Sequence, residues 1–163
     1  MRQSHSEQIT QLKPDEVFVF GSNKCDGFHG AGAAGFASFG RHGNVWREEG
    51  YAEKPNGWKG KWNIKGIAEG YQEGTEGKSY ALPTVWRAGQ KRSLDKNTII
   101  DSIKKLYCFA NLHPELKFLV ANSVTSKTPL CGYSNRELAL MYIKAGPIPL
   151  NVIFSASYSA MIF

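Results

Sequence analysis

Short runs of β-branched and aromatic residues alternate along this chain with helix-length amphipathic stretches, and that alternation limits the fold more than any other feature. After a polar arm, Glu16-Val17-Phe18-Val19-Phe20 is a β-rich apolar run that stops at Gly21-Ser22-Asn23, which predicts a buried strand entering a loop. Gly27, Gly30, Gly32 and Gly35 then surround an Ala/Phe segment ending at Gly40, the pattern of a glycine-rich loop opening onto a small helix with a glycine C-cap. Ser79-Tyr80-Ala81-Leu82-Pro83 reads as a second strand, ended by Pro83 or marked by it as lying beside a loop. A polar, basic connection spans Arg87 to Arg92. From about Leu94 to Leu112, Ile99, Ile103, Leu106 and Ala110 recur at helical spacing, with Ile100 and Tyr107 widening the stripe and Pro114 just beyond the end. Residues 116–121 read as a third strand. Ser134-Asn135-Arg136-Glu137 matches a capping box, so a helix is expected over about 135–145, stopped by Gly146 and Pro147. Asn151-Val152-Ile153-Phe154 gives the last strand, and an apolar tail from Ala156 to Phe163 is expected to pack against the body, with Ser155 and Ser157 structural.

The resulting order, β-α-(insertion)-β-α-β-α-β, implies an α/β fold with a largely parallel sheet and helices on both faces. In that architecture ligands bind at the carboxyl ends of the strands, where two loops rich in Gly, Ser, Thr and Asn fall, 21–35 and 122–134. With 163 residues there is room for one domain, 1–163, and a core of that size needs no disulfide or structural metal. The insertion, about 41–78, holds eight glycines, three of the four tryptophans and 7 basic against 6 acidic residues, without a helical period. Such spacing fits short hairpins, a long ordered loop, or a surface insertion packing its own aromatics.

Several classes are disfavoured by what the chain lacks. No apolar run approaches the ~18–20 residues that span a bilayer, and MRQSHSEQITQLKPDE contains no secretory apolar stretch, so a cytoplasmic protein without membrane contact is expected. Cys25, Cys108 and Cys131 are odd in number and lack CxxC spacing, which argues against a disulfide framework or zinc ribbon. Cys25 and His29 with His42 have no second pair at ligand spacing, and no metal or other cofactor is expected. Cys131 is a candidate reactive thiol, while Cys108 reads as a helix-face packing residue. No GxSxG nucleophile elbow occurs. The formal charge of +6 favours anionic partners.

The first loop, GSNKCDGFHGAGAAG, contains GxHGxG, which is neither a Walker A sequence nor a GxGxxG fingerprint. Its glycines let backbone approach a ligand closely, and free N–H groups at a helix start bind phosphate oxygens, so a diphosphate site is physically reasonable; the structural alternative is a tight strand-to-helix turn.

Taken together, GSNxxxxxHGAGAA, GxSYALPT, a helix ending in HPE, the strand FLVAxSV and a Gly-Tyr loop feeding a capped helix resemble the macrodomain superfamily, specifically small bacterial and phage macrodomain-like proteins. The resemblance runs over roughly residues 16–154 outside the insertion. It implies a three-layer α/β/α fold that binds ADP-ribose or a related nucleotide, sometimes hydrolysing an ADP-ribosyl ester, glycoside or phosphate. By this likeness Gly21, Ser22, Asn23, Gly30, Ala31, Gly32 and Ala33 from the first loop, with Ser123, Thr125, Gly132 and Tyr133 from the second, form the binding site. Asn23 corresponds to the asparagine that hydrogen-bonds the distal ribose, its amide both donating to and accepting from a diol. Asn23, Asp26 and His29 are the catalytic candidates, the carboxylate or imidazole serving as general base to water at the anomeric carbon. Lys24 is the candidate for a covalent aldimine with a ribose aldehyde, as one branch of the superfamily forms with a lysine, a role that needs a desolvated amine. The family's additional first strand and its GDI segment have no counterpart in the 15 residues before the first apolar run. Trp46, Trp58 or Trp62 is the candidate to stack on adenine instead, and Lys127-Thr128-Pro129-Leu130-Cys131 occupies positions where glycines are usual.

Three alternatives stand beside a nucleotide-binding hydrolase. One is non-catalytic sequestration of a cyclic ADP-ribose-type signal. Another is a nucleic-acid-binding module built from Lys54, Lys59, Lys61 and Lys65 among the tryptophans, although Glu48, Glu49, Glu53, Glu69, Glu73 and Glu76 nearly cancel that charge. The last is a structural protein, in which Asn23→Ala would alter no ligand affinity.

Overall fold

Val17, Phe18, Val19 and Phe20 are each 2 % exposed or less, because the strand that carries them lies inside a sheet covered on both faces. The computed structural model describes residues 2–5, 9, 12–25, 28–29, 64–65, 68–74, 77–87, 89–120 and 131–163. Among these residues the strands are β1 (Ser4–His5), β2 (Glu16–Asn23), β3 (Phe28–His29), β4 (Ile64–Lys65), β5 (Gly70–Gly74), β6 (Gly77–Val85), β7 (Lys117–Val120) and β8 (Val152–Ser155). The helices are α1 (Lys96–Leu112), α2 (Asn135–Lys144) and α3 (Ala156–Ile162). The main sheet has six strands in the order β1-β8-β7-β2-β6-β5, all neighbours parallel except the β5/β6 pair. β3 and β4 form a separate antiparallel pair. The fold is therefore α/β with a mostly parallel sheet, as the alternating pattern predicts.

Strand alternation sends Val17, Val19, Tyr80, Leu82, Phe118, Val120, Val152 and Phe154 into one core. The same core takes Ile99, Ile103 and Leu106 from α1, Ala139, Met141 and Tyr142 from α2, and Tyr158 from α3. On the opposite face Leu119 and Ile153 pack with Ile9 and Leu12. The helices among the described residues thus serve one face, and the small helix expected before Gly40 falls outside the described residues. The apolar tail forms α3, capped by the Ser155 hydroxyl, which accepts from the Tyr158 N–H at 3.4 Å.

The structure departs from the sequence reading in four places, each with a physical cause. The polar arm contributes β1 at the sheet edge, parallel to β8. Hydrogen bonds rather than apolar burial hold it: the Arg2 guanidinium donates to Ile148 O at 2.6 Å and Pro149 O at 3.2 Å and lies 4.5 Å from the Phe163 ring centre, and His5 Nε2 sits 2.9 Å from Val120 O. β6 runs past Pro83 to Val85. The ladder with its antiparallel partner β5 stops at Gly70 opposite Ala81, so Pro83, which has no N–H to give, lies beyond that ladder. Part of the insertion, β5, joins the main sheet as a hairpin with β6. Finally, Cys108 is exposed. It lies about 200° around the helix from Leu106, off the buried stripe.

Candidate functional site

The carboxyl end of β2 is the natural place to look, because the chain leaves the sheet there in a topologically distinctive way. β2 passes the chain on to β5 and β6 on one side, whereas β7, its other neighbour, passes the chain on to β8 on the far side. At such a switch in strand order, α/β sheets bind ligands outside the carboxyl ends of the strands. The two loops concerned are those singled out in the sequence, after Asn23 and after Val120.

The β2 terminus is built tightly onto β6. Ser22 pairs with Pro83 and Asn23 with Val85, the shift absorbed by one extra residue, Thr84, on β6. An ideal Cβ at Gly21 would meet Thr84 Oγ1 at 3.0 Å, so glycine relieves crowding there. Ser22 is buried, and its hydroxyl donates to Ala68 O at 2.5 Å, tying the start of the β5 hairpin to the strand end. Beyond the strand, Lys24 N donates to Val85 O at 2.8 Å and Cys25 N to Trp86 O at 2.9 Å, continuing the ladder. Asn23 is half-buried at this junction. Arg87 Nε donates to Cys25 Sγ at 3.3 Å, placing a guanidinium beside Lys24 and Cys25.

The connection from β6 to α1 forms the next wall. Ser93 Oγ accepts from Trp86 N at 2.8 Å, and Gln90 N donates to Arg87 O at 3.1 Å in a turn whose Gly89 has φ +82°. Arg92, at φ +52°, donates its own N–H to Cys131 O at 2.7 Å and its Nε to Gly132 O at 3.2 Å. This contact explains Gly132: at φ +88° an added Cβ would stand 2.8 Å from Lys91 Cβ and 3.0 Å from Arg92 N. Tyr133 is buried with its hydroxyl donating to Leu94 O at 2.8 Å, and the Arg92 guanidinium lies 4.8 Å from its ring centre. Gly132 and Tyr133 therefore brace the second loop against the β6–α1 connection. Glu137 closes the brace, accepting from Arg92 at 2.9 Å and Lys96 at 3.1 Å. The Ser134 N–H, then Lys96 and Arg92, hold its carboxyl below the usual glutamate range.

Cys131 is buried, and burial pushes its thiol up, so it is kept as the thiol rather than as a nucleophilic thiolate. Among the described residues of these segments Lys24, Arg87, Lys91, Arg92 and Lys96 outnumber Asp95 and Glu137, with Arg92 and Lys96 paired to Glu137, a surplus of positive charge suited to an anion. Among the described residues no group of three or more His, Cys, Asp or Glu side chains could hold a metal ion. No helix among them is long and apolar enough to cross a membrane.

Of the residues proposed from sequence, the structure brings Gly21, Ser22 and Asn23 together at the end of β2, with Gly132 and Tyr133 in the brace beside the β6–α1 connection. Asp26, Gly30, Ala31, Gly32, Ala33, Ser123 and Thr125 lie outside the described residues, as do Trp46, Trp58 and Trp62. His29 belongs to β3 by its backbone. The sequence reading noted Arg87 only as the start of a basic connection and passed over Trp86. Their signal was present in a basic, aromatic segment directly after an apolar strand, the position where an α/β sheet presents side chains to a ligand. No family model, curated protein or solved structure matches the chain.

Proposed function

We propose that this chain binds ADP-ribose or a related ADP-ribosyl nucleotide across the carboxyl ends of β2, β6 and β7, within a macrodomain-like α/β/α fold. The observation that carries the reading is Asn23 at the end of β2, beside β7, the two strands that lead into the candidate loops. Its amide has the donor and acceptor that a ribose diol requires. Lys24 and Arg87 supply cations for a diphosphate within the same stretch of ladder. The likeness to macrodomains gains support from β1, an additional strand ahead of the first apolar one. Hydrolysis of an ADP-ribosyl linkage or phosphate, with Asp26 or His29 as base, is the further step of this reading; sequestration without turnover is its non-catalytic form. Calorimetric titration tests the site: Asn23→Ala should weaken ADP-ribose binding about 10-fold or more, the effect of leaving a ligand's polar groups unpaired. Equal affinity in the two proteins would remove Asn23 from the site.

A further inference from the structure

Glu137 is the last acidic residue of the chain, and from 138 to 163 the one charged side chain is Lys144. A surface built from that stretch is apolar with positive charge only, and the structure builds one. Along α2, Arg136, Leu140, Ile143 and Lys144 recur at the spacing of a single helical face, and all four are exposed. α3 lies beside α2, tied to its start by the Tyr158 hydroxyl, which stands 3.1 Å from Asn135 Oδ1. Between the two helices is a groove of about 320 Å³ lined by Arg136, Ala139, Leu140, Ala160 and Met161. The two alanines leave the space, while Leu140, 48 % exposed, and Met161, 41 % exposed, are its large apolar walls. Among the described residues no carboxylate pairs with Arg136 or Lys144; Glu137, the one acid of α2, pairs with Arg92 and Lys96.

Charge and shape together decide what covers this face. A second copy seated on it in two-fold symmetry would set Arg136 and Lys144 of each copy against those of the other, whichever way the helices run, and like charges repel. A lipid surface presents no ridge to fill a groove. A helix does, because its side chains at i, i+4 and i+7 stand in a row that enters a hydrophobic groove. We infer that the groove between α2 and α3 docks an acidic amphipathic helix of a partner protein, which sets an apolar side chain between Leu140 and Met161 and carboxylates against Arg136 and Lys144. The docking face is independent of the nucleotide site and stands or falls without it.

A displayed library of peptides of about 16 residues, apolar at helical spacing and with Glu or Lys at random on the flanking positions, probes the groove directly. Selection on the full chain should yield peptides rich in Glu. A synthetic copy of the strongest should bind Leu140→Glu at least about 10-fold more weakly than wild type, the loss of an interface anchor. Combining Arg136→Glu with Lys144→Glu should turn the selection from Glu to Lys. Melting curves of these variants should match wild type, because all three positions are exposed. Failure to select any peptide, selection without an excess of Glu, or equal binding to Leu140→Glu would overturn the proposal. So would sedimentation showing a wild-type dimer that Leu140→Glu dissolves, which gives the face to a second copy. Pelleting with phosphatidylglycerol vesicles that Leu140→Glu abolishes would give it to lipid, and overturn the proposal equally.

Discussion

Asn151 carries more of the fold than its place at a strand entrance suggests. Its Nδ2 donates to Ala110 O at 2.9 Å and to His113 O and Leu116 O at 3.0 Å, gathering the carbonyls at the C-terminal end of α1 and the turn that leads into β7. Two amide hydrogens serve three acceptors, so at least one bond is shared. Asn151→Ala leaves Ala110 O and His113 O with only their backbone donors and takes the amide from Leu116 O, and should destabilise the protein by about 1–3 kcal/mol, lowering Tm by roughly 3–10 °C. An unchanged melting temperature would show that water replaces the amide at no cost. This role could not be read in the sequence, because polar side chains that satisfy distant backbone have no periodicity. The same holds for Ser22, whose hydroxyl bonds residue 68, and for Tyr133, whose place in a glycine-tyrosine loop suggested a ligand contact and whose hydroxyl bonds Leu94. Gly132 was legible as a special position, yet the reason for it, the close approach of Lys91 and Arg92, is tertiary.

Elements were far more legible than contacts. α2 and its capping box follow from four residues, and both reciprocal bonds are present: Glu137 N donates to Ser134 Oγ at 3.1 Å and Ser134 N to Glu137 Oε1 at 3.2 Å. Glu137 also accepts from Arg92 and Lys96, which makes this helix start sensitive to acid. Its folded-state value lies below the ordinary 4.5, so its stabilising contribution is complete above that value and is lost as pH falls through the lowered one. Melting temperatures of the wild type and Glu137→Gln should therefore converge as pH drops from 5 toward about 3. A gap that stays constant over that range would contradict the assignment. β1 escaped notice for the opposite reason. Two residues at a sheet edge, anchored by Arg2 and His5, have too little apolar pattern to register. β6 was cut short at Pro83 because proline usually interrupts a strand, whereas here Pro83 lies beyond the stretch paired with β5.

For the whole molecule, the alternation of strands and helices was enough to give a mostly parallel sheet, since parallel neighbours need long crossovers and α1 and α2 supply them. Strand order was not written in the sequence; it emerges from which apolar faces meet, and it sets β2 between β6 and β7, with Asn23 at the end of β2. That placement gives the proposed nucleotide site its location, and the basic rim gives it a sign. Thermal unfolding with ADP-ribose, AMP and NAD at two salt concentrations tests this most directly. A ligand at about 100 times its Kd stabilises the folded state by roughly 2.7 kcal/mol, a rise in Tm of about 5–11 °C. The account predicts such a rise with ADP-ribose, little affected by salt because the ligand sits in a crevice. No shift with any of the three, or a shift that vanishes steeply with salt as for a polyphosphate held on an open basic surface, would contradict it.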